Sequence, residues 1–547
     1  MSEHPLNTST SVSETDASLP PGTFLLIRED SSESNGQRAI MLDPVPTCDP
    51  NEPLNWSTFR KAVNWTVVLG MTIIVFTALS IQPLFWQQMI IDLEVSYQKL
   101  NQSMSVNNVG LAMGCVLFIP LAKKFGRRPV YIASTSLLVA TAFWTSRLNS
   151  LTELYICNLL QGLGGAVNEA IAEITIADLF FVHHRGSMNG LYMTMVMIGS
   201  FLTPMAAGTQ ATNQGWRWSY YTMGIFNSIF LLLFLFVYEE TKYIPVLAGS
   251  SRPGSARDDN VPVKIPDGSI TKATYPSVSK CSMPDDPSTR NHHIDPNIPR
   301  SKWSKRLALV TPTAEPIWPY YYRPFQVLFT FPAMMYAGLQ YAAGVAWLTI
   351  LSNVLSLVFP LPPYGFTPQQ IGFMSLGPFI GNLIGAVYGG FLGDWSILHF
   401  SRRNKGFYEP EMRLYILHIP ALAMAGGLIM FGATVERGMH WIYPSVGGAL
   451  FGFGLGSIGD ASLTLITGDA FTGIAFLRNA ISIGIPFAIT PWMERNGLQN
   501  MFIACGFISL GISSLAIPMV FWGKAARRGL ATRYHRLVEQ QGGFGVH

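Results

Sequence analysis

The chain has 547 residues and a net charge of +4; 49% of its residues are hydrophobic and 12% are charged. That charged share is about half the usual soluble one, too little to cover the surface of a soluble multidomain protein. The apolar content excludes a wholly disordered chain, and the small net charge excludes a protein built to hold nucleic acid. Along the chain, residues 1–60 are rich in Ser, Thr, Pro and acids and lack a basic start followed by an apolar stretch. They read as a disordered cytoplasmic tail with no cleavable signal peptide. A bilayer core of about 30 Å takes roughly 20 apolar residues of helix. Runs of that kind lie at 62–84, 106–122, 130–146, 154–180, 188–211 and 219–238. Residues 239–323 form a polar, Pro- and Ser-rich central loop with a short amphipathic piece near 302–310. Further apolar runs follow at 325–359, 371–392, 414–434, 441–467, 473–493 and 501–522. The run 325–359 is too long for one simple span, which predicts a kink or an extension outside the membrane. Residues 524–547 are a second cytoplasmic tail.

The pattern predicts an all-α membrane protein with about twelve transmembrane helices in two six-helix pseudo-repeats, 61–238 and 324–523. With a cytoplasmic N-terminus, the outer loops hold only Lys99, Arg147, Arg217, Arg437 and Arg495. Lys123, Lys124, Arg127, Arg128, Arg402 and Arg403 then fall inside. That asymmetry predicts a multi-pass protein of the cell membrane with both termini cytoplasmic. It also puts the sequon Asn101-Gln102-Ser103 outside, so Asn101 is an expected glycosylation site.

The fourth and tenth spans look alike. One reads Gly162-Leu163-Gly164-Gly165-Ala166-Val167-Asn168-Glu169-Ala170, the other Gly452-Phe453-Gly454-Leu455-Gly456-Ser457-Ile458-Gly459-Asp460-Ala461. Each acid is followed nine positions later by an aspartate, Asp178 or Asp469. Matched in this way, Glu169 corresponds to Asp460. Nine residues are about 2.5 helical turns, so the two acids of a pair face opposite ways.

After the second span comes Pro120-Leu121-Ala122-Lys123-Lys124-Phe125-Gly126-Arg127-Arg128-Pro129. It resembles the loop signature of the major facilitator superfamily, Gly-x-Leu-Ala-Asp-Arg-x-Gly-Arg-Arg, at Leu121, Ala122, Gly126, Arg127 and Arg128. Ile119 and Lys123-Lys124 depart from it, while Asp394 keeps the acid in the second half. The strings Ala177–Gly186, Tyr408–Leu414 and Phe476–Ala480 are similar to a fungal group within the twelve-span drug:proton antiporters. The resemblance covers nearly all of residues 60–523. It implies the major facilitator fold and gating roles for Gly126, Arg127, Arg128, Asp178, Asp394 and Arg478.

Acids inside a membrane span read as functional by default. Glu169 and Glu173 are four apart and share a helix face, so a proton and a cationic cargo can compete for them. Asp460 is a third candidate for coupling. The alternative for these acids is a fixed structural pair with Arg478 or with backbone and hydroxyl donors. Asp178 has Arg127, Arg128 or Arg185 as expected partners, and Asp469 has Arg478. Aromatic and amide groups of the seventh span, Gln340, Tyr341 and Trp347, are candidate cargo contacts. His183-His184 and His292-His293 lack further ligands at metal spacing, and the scattered cysteines form no Cys-x-x-Cys pair, so no metal site is expected. No Gly-Lys-Ser/Thr follows the Gly-rich runs, which argues against an ATP-driven pump. Gly459-Asp460 lacks the Gly-x-Gly-Asp context of an intramembrane protease, so no enzyme is expected.

The expected function is a secondary transporter, without cofactor, that uses the proton gradient to export a small organic molecule: a secondary metabolite, toxin or drug. The alternative is proton-coupled uptake of a polyamine or another organic cation. Expected partners are the small substrate, protons and the lipid bilayer; the protein is expected to be a monomer.

Overall fold

A computed structural model describes residues 23–25, 49–243, 300–312, 316–404, 406–464 and 468–540. The first half contains α1 (Thr58–Ile81), α2 (Tyr97–Phe125), α3 (Arg127–Thr145) and α4 (Leu151–Leu179). Next is α5, which runs through Val182–Met197, a π turn at Ile198–Leu202 and Thr203–Gln214, and then α6 (Trp216–Phe236). Local chemistry sets several ends. Ser57 and Ser150 cap α1 and α4 by accepting the N–H of Arg60 and of Glu153. Gly126, at φ 117°, turns the chain sharply between α2 and α3, in a region that glycine tolerates and other residues rarely enter.

The second half contains α7 (Pro332–Val358), α8 (Leu376–Arg403), α9 (His418–Glu436) and α10 (Ile442–Thr464). The stretch Gly468–Ser514 breaks at Gly497 (φ 75°, ψ 160°) into α11 and α12, and the helix Ala516–Gln540 follows. The long apolar run expected at 325–359 is divided. A separate helix, Trp318–Thr330, ends at Phe331, which is extended (φ −105°, ψ 113°) because Pro332 follows it. The central-loop segment expected to be amphipathic has one helical turn, Trp303–Arg306.

Among the described residues, eight stretches are long and apolar enough to cross a membrane by length and composition. One of them, Gly473–Arg533, is 61 residues long and holds both α11 and α12. Helices α3, α4 and α10 are not among these eight. Helix α4 can be polar because it is enclosed by protein: Gln161, Asn168, Glu169 and Thr175 are all buried along it. By contrast, α6 presents Phe226, Ile229, Leu232 and Phe236 outward, and α8 presents Ile384, Val387 and Phe391. These exposed apolar faces suit lipid contact.

Two helix pairs pack backbone to backbone and define the repeat. A Cβ on Gly110 of α2 would stand 2.2 Å from the Leu159 carbonyl oxygen of α4, and one on Gly114 would stand 2.7 Å from that of Leu163. On α8, Gly381 and Gly385 stand in the same way 1.9 and 2.2 Å from the carbonyls of Ala449 and Phe453 on α10. Gly110 therefore matches Gly381, and Leu163 matches Phe453. Counting on from Leu163, Glu169 matches Gly459, not Asp460. The string match between the spans is one residue out of register, a rotation of about 100° on a helix.

Candidate functional site

Between the halves lies a cavity of about 300 Å³, walled by α1, α2, α4, α5, α7, α8, α10 and α11. Its surface is mostly apolar. Glu169, Tyr341, Asn382, Arg478 and Asn479 are among its polar lining residues.

Glu169 enters from α4 and is 3% exposed. Its Oε1 is paired with Arg478 Nη2 of α11. Its Oε2 accepts from Asn479 Nδ2 at 3.2 Å. Arg478 is braced by its neighbour: Nη2 and Nε donate to Asn479 Oδ1 at 2.8 and 3.1 Å. Its Nη1 donates to the Tyr341 hydroxyl of α7 at 3.2 Å, and its guanidinium lies 5.3 Å from the Tyr341 ring centre. A carboxylate of one half and a guanidinium of the other thus meet at the cavity wall. Arg478 Nη2, Nε and Nη1 are engaged by Glu169, Asn479 and Tyr341; the expected pairing with Asp469 rests on a side chain outside the described residues. The pair joins Glu169 of α4 in the first half to Arg478 of α11 in the second.

Glu173, one turn further along α4, is not in the cavity wall. Its Oε1 is buried and has no hydrogen-bond partner among the described residues. Gln340 points elsewhere, donating to Ser513 Oγ at 3.0 Å, and Trp347 packs in the apolar core. The side chains of Asp394, Asp460 and Asp469 lie outside the described residues, as do His292 and His293.

The loop cluster sits at one end of the first half. Arg127 donates through Nε and Nη2 to both oxygens of Asp178, at 2.9 and 3.2 Å. The Glu240 carboxylate accepts the backbone N–H of Arg127 and of Arg128, at 2.9 and 3.1 Å, across the start of α3. Burial pushes the Glu240 carboxyl above its ordinary value, and the N–H groups of Lys242, Arg127 and Arg128 pull against that rise. Arg128 donates to the carbonyls of Phe234, Leu235 and Leu307. Gly126, Arg127, Arg128 and Asp178 are therefore brought together, and they tie α2 and α3 to α4, α6 and the segment 300–312. Glu240 was not among the expected residues, although its Glu239-Glu240 pair just past a span was visible.

At the opposite end the halves close on one another. Asn101 Oδ1 accepts from Asn353 Nδ2 at 3.1 Å, and Asn101 Nδ2 donates to the Pro486 carbonyl. Tyr97 donates to the Asn353 carbonyl at 3.3 Å. A Cβ on Gly208 would stand 2.5 Å from the Pro368 carbonyl. This corrects the expected glycosylation of Asn101. The side chain is 1% exposed, lies within α2 and has both ends occupied, so the helix would have to leave its partners before a glycan could be attached.

The description Major Facilitator Superfamily matches residues 67–476. The chain is 29% identical to an uncharacterised MFS-type transporter of Schizosaccharomyces pombe, over 95% of this chain and 94% of that one. It is 25% identical to protein HOL1 of Saccharomyces cerevisiae, over 93% and 95%. It is also 25% identical to the major facilitator superfamily multidrug transporter FLU1 of Candida albicans, over 88% and 74%.

Proposed function

The chain belongs to the Major Facilitator Superfamily and is a multi-pass membrane transporter rather than an enzyme; from that premise we propose that it exports a small, largely apolar organic molecule in exchange for protons. The observation that carries this reading is the Glu169–Arg478 pair, a carboxylate and a guanidinium from opposite halves at the wall of a mostly apolar cavity. The similarity to FLU1, a multidrug transporter by name, supports the cargo class.

In this reading the two halves rock around the cavity. The Lys/Arg distribution supports a cytoplasmic location for the Gly126 end and both termini; in that orientation the contacts of Asn101 and Asn353 close the outer side. An ion pair in a low-dielectric site holds the halves together, and removing either charge leaves the other uncompensated. A proton on Glu169 cancels its charge and frees Arg478, which Asn479 and Tyr341 still solvate. That exchange loosens the joint and lets the cavity change sides. The wall is electrically balanced by the pair, which suits a neutral or weakly basic cargo.

The test is transport into sealed vesicles across an imposed pH gradient, with a panel of apolar metabolites and amines. Glu169→Gln is expected to insert normally and to lose gradient-driven transport. Undiminished accumulation by that variant rejects the coupling role. A second reading, uptake of an organic cation, has one observation in its favour: the Oε1 of Glu173, unpartnered among the described residues. Amine uptake that disappears in Glu173→Gln would select it.

A further inference from the structure

We infer that Asn382 is the residue by which the cavity selects its cargo, and that the cargo carries a neutral hydrogen-bonding group, of which a secondary amide is the simplest, on an apolar body. This deepens the reading above and rests on its assignment of the cavity as the cargo site. Asn382 lies on α8 and is 1% exposed. It lines the cavity, yet among the described residues neither its Oδ1 nor its Nδ2 has a hydrogen-bond partner. A buried amide left unmet is costly, and such groups in native proteins are nearly always satisfied by something.

The neighbours show where that partner can come from. Gly456 brings the backbone of α10 against Asn382, and a Cβ there would stand 2.5 Å from its Oδ1. That side is closed by packing, and Asn382 also belongs to the lining of the cavity, so a partner for its amide is to be sought there. The helix-pair register matches Gly110 to Gly381 and therefore Leu111 to Asn382, and both members of the latter pair line the cavity. The first half thus offers an apolar group where the second offers an amide. The charged groups nearby do not compete for a neutral cargo, since Glu169 and Arg478 hold each other. An asparagine presents one acceptor and a donor pair side by side, which complements the N–H and C=O of a secondary amide.

The experiment uses the purified full-length protein and two probes of the same shape, benzanilide and trans-stilbene, which differ by an amide in place of a carbon–carbon double bond. Thermal unfolding is followed against probe concentration for the wild type, Asn382→Leu and Glu169→Gln. Benzanilide is expected to stabilise the wild type at about one-tenth the concentration that stilbene needs, and Asn382→Leu is expected to bring that ratio to about one. Without probe, Asn382→Leu is expected to melt about 2 °C higher, because it no longer buries an unmet amide. A lower melting temperature would show that Asn382 has a structural partner and overturn the inference. It is also overturned if benzanilide has no advantage in the wild type, or if neither probe binds. A benzanilide preference that persists in Glu169→Gln, together with undiminished gradient-driven transport by that variant, would reject the coupling role and leave this inference standing.

Discussion

Glu169 and Arg478 form an ion pair across the two halves, with side chains only 4% and 3% exposed. Such a pair is a poor source of net stability but costly to break on one side only, because the remaining charge is stranded. Arg478→Met is therefore expected to lower stability by roughly 3–5 kcal/mol. The double variant Glu169→Gln/Arg478→Met is expected to recover more than about 1 kcal/mol of the summed losses. Thermal unfolding of the four proteins in detergent measures the cycle. Strictly additive losses would mean that the two groups do not act as a pair.

Asn101 bridges the halves through Asn353 and Pro486 at the end away from Gly126. Glycosidase treatment is therefore expected to leave the electrophoretic mobility of the protein unchanged. Asn101→Ala removes both bridges and is expected to open that end. Ser352, which lines the cavity, supplies the reporter. In a Ser352→Cys background, labelling by a membrane-impermeant maleimide from outside is expected to rise several-fold when Asn101→Ala is added. Equal labelling in both backgrounds would mean that these hydrogen bonds do not hold the end closed.

The spans were legible because lipid imposes a length and an apolar face on every helix that touches it. The break before α7 was legible too, since Pro332 restrains Phe331 and ends the helix before it. The register between repeats was not. Gly-rich strings align almost equally well at several offsets, and only the backbone contacts of Gly110 and Gly381 fix the true one. Glu169 was visible as an acid in a membrane helix, and Arg478 as a candidate partner for the acids of that helix; that it meets Glu169 rather than Glu173 depends on where α4 and α11 approach. Asn382 left no signal, because one amide in an apolar helix has no spacing partner to mark it. The Asn101 sequon misled for the opposite reason: a three-residue string carries no information about what the rest of the helix buries.

The helix Ala516–Gln540 is anchored to the segment after α8 by two ion pairs, Lys524–Glu409 and Arg527–Glu411. Burial alone would raise the Glu409 carboxyl, but the Lys524 ammonium outweighs that and holds it below its ordinary value of 4.5. A carboxylate held low in the folded state adds stability above its unfolded value, and that stability is lost as pH falls through the folded value. Docking of residues 524–533 is therefore expected to stay constant from pH 7 down to about 4.5 and to loosen below that. Lys524 is 41% exposed, so salt should weaken the effect by screening. Hydrogen exchange of those residues, corrected for the intrinsic pH dependence of the chemistry, is the measurement. Lys524→Met is expected to exchange faster already at pH 7 and to show a smaller acid transition. If the wild type and Lys524→Met gave superimposable exchange profiles from pH 7 to pH 3.5, the Lys524–Glu409 contact would have no part in holding this helix to the second half.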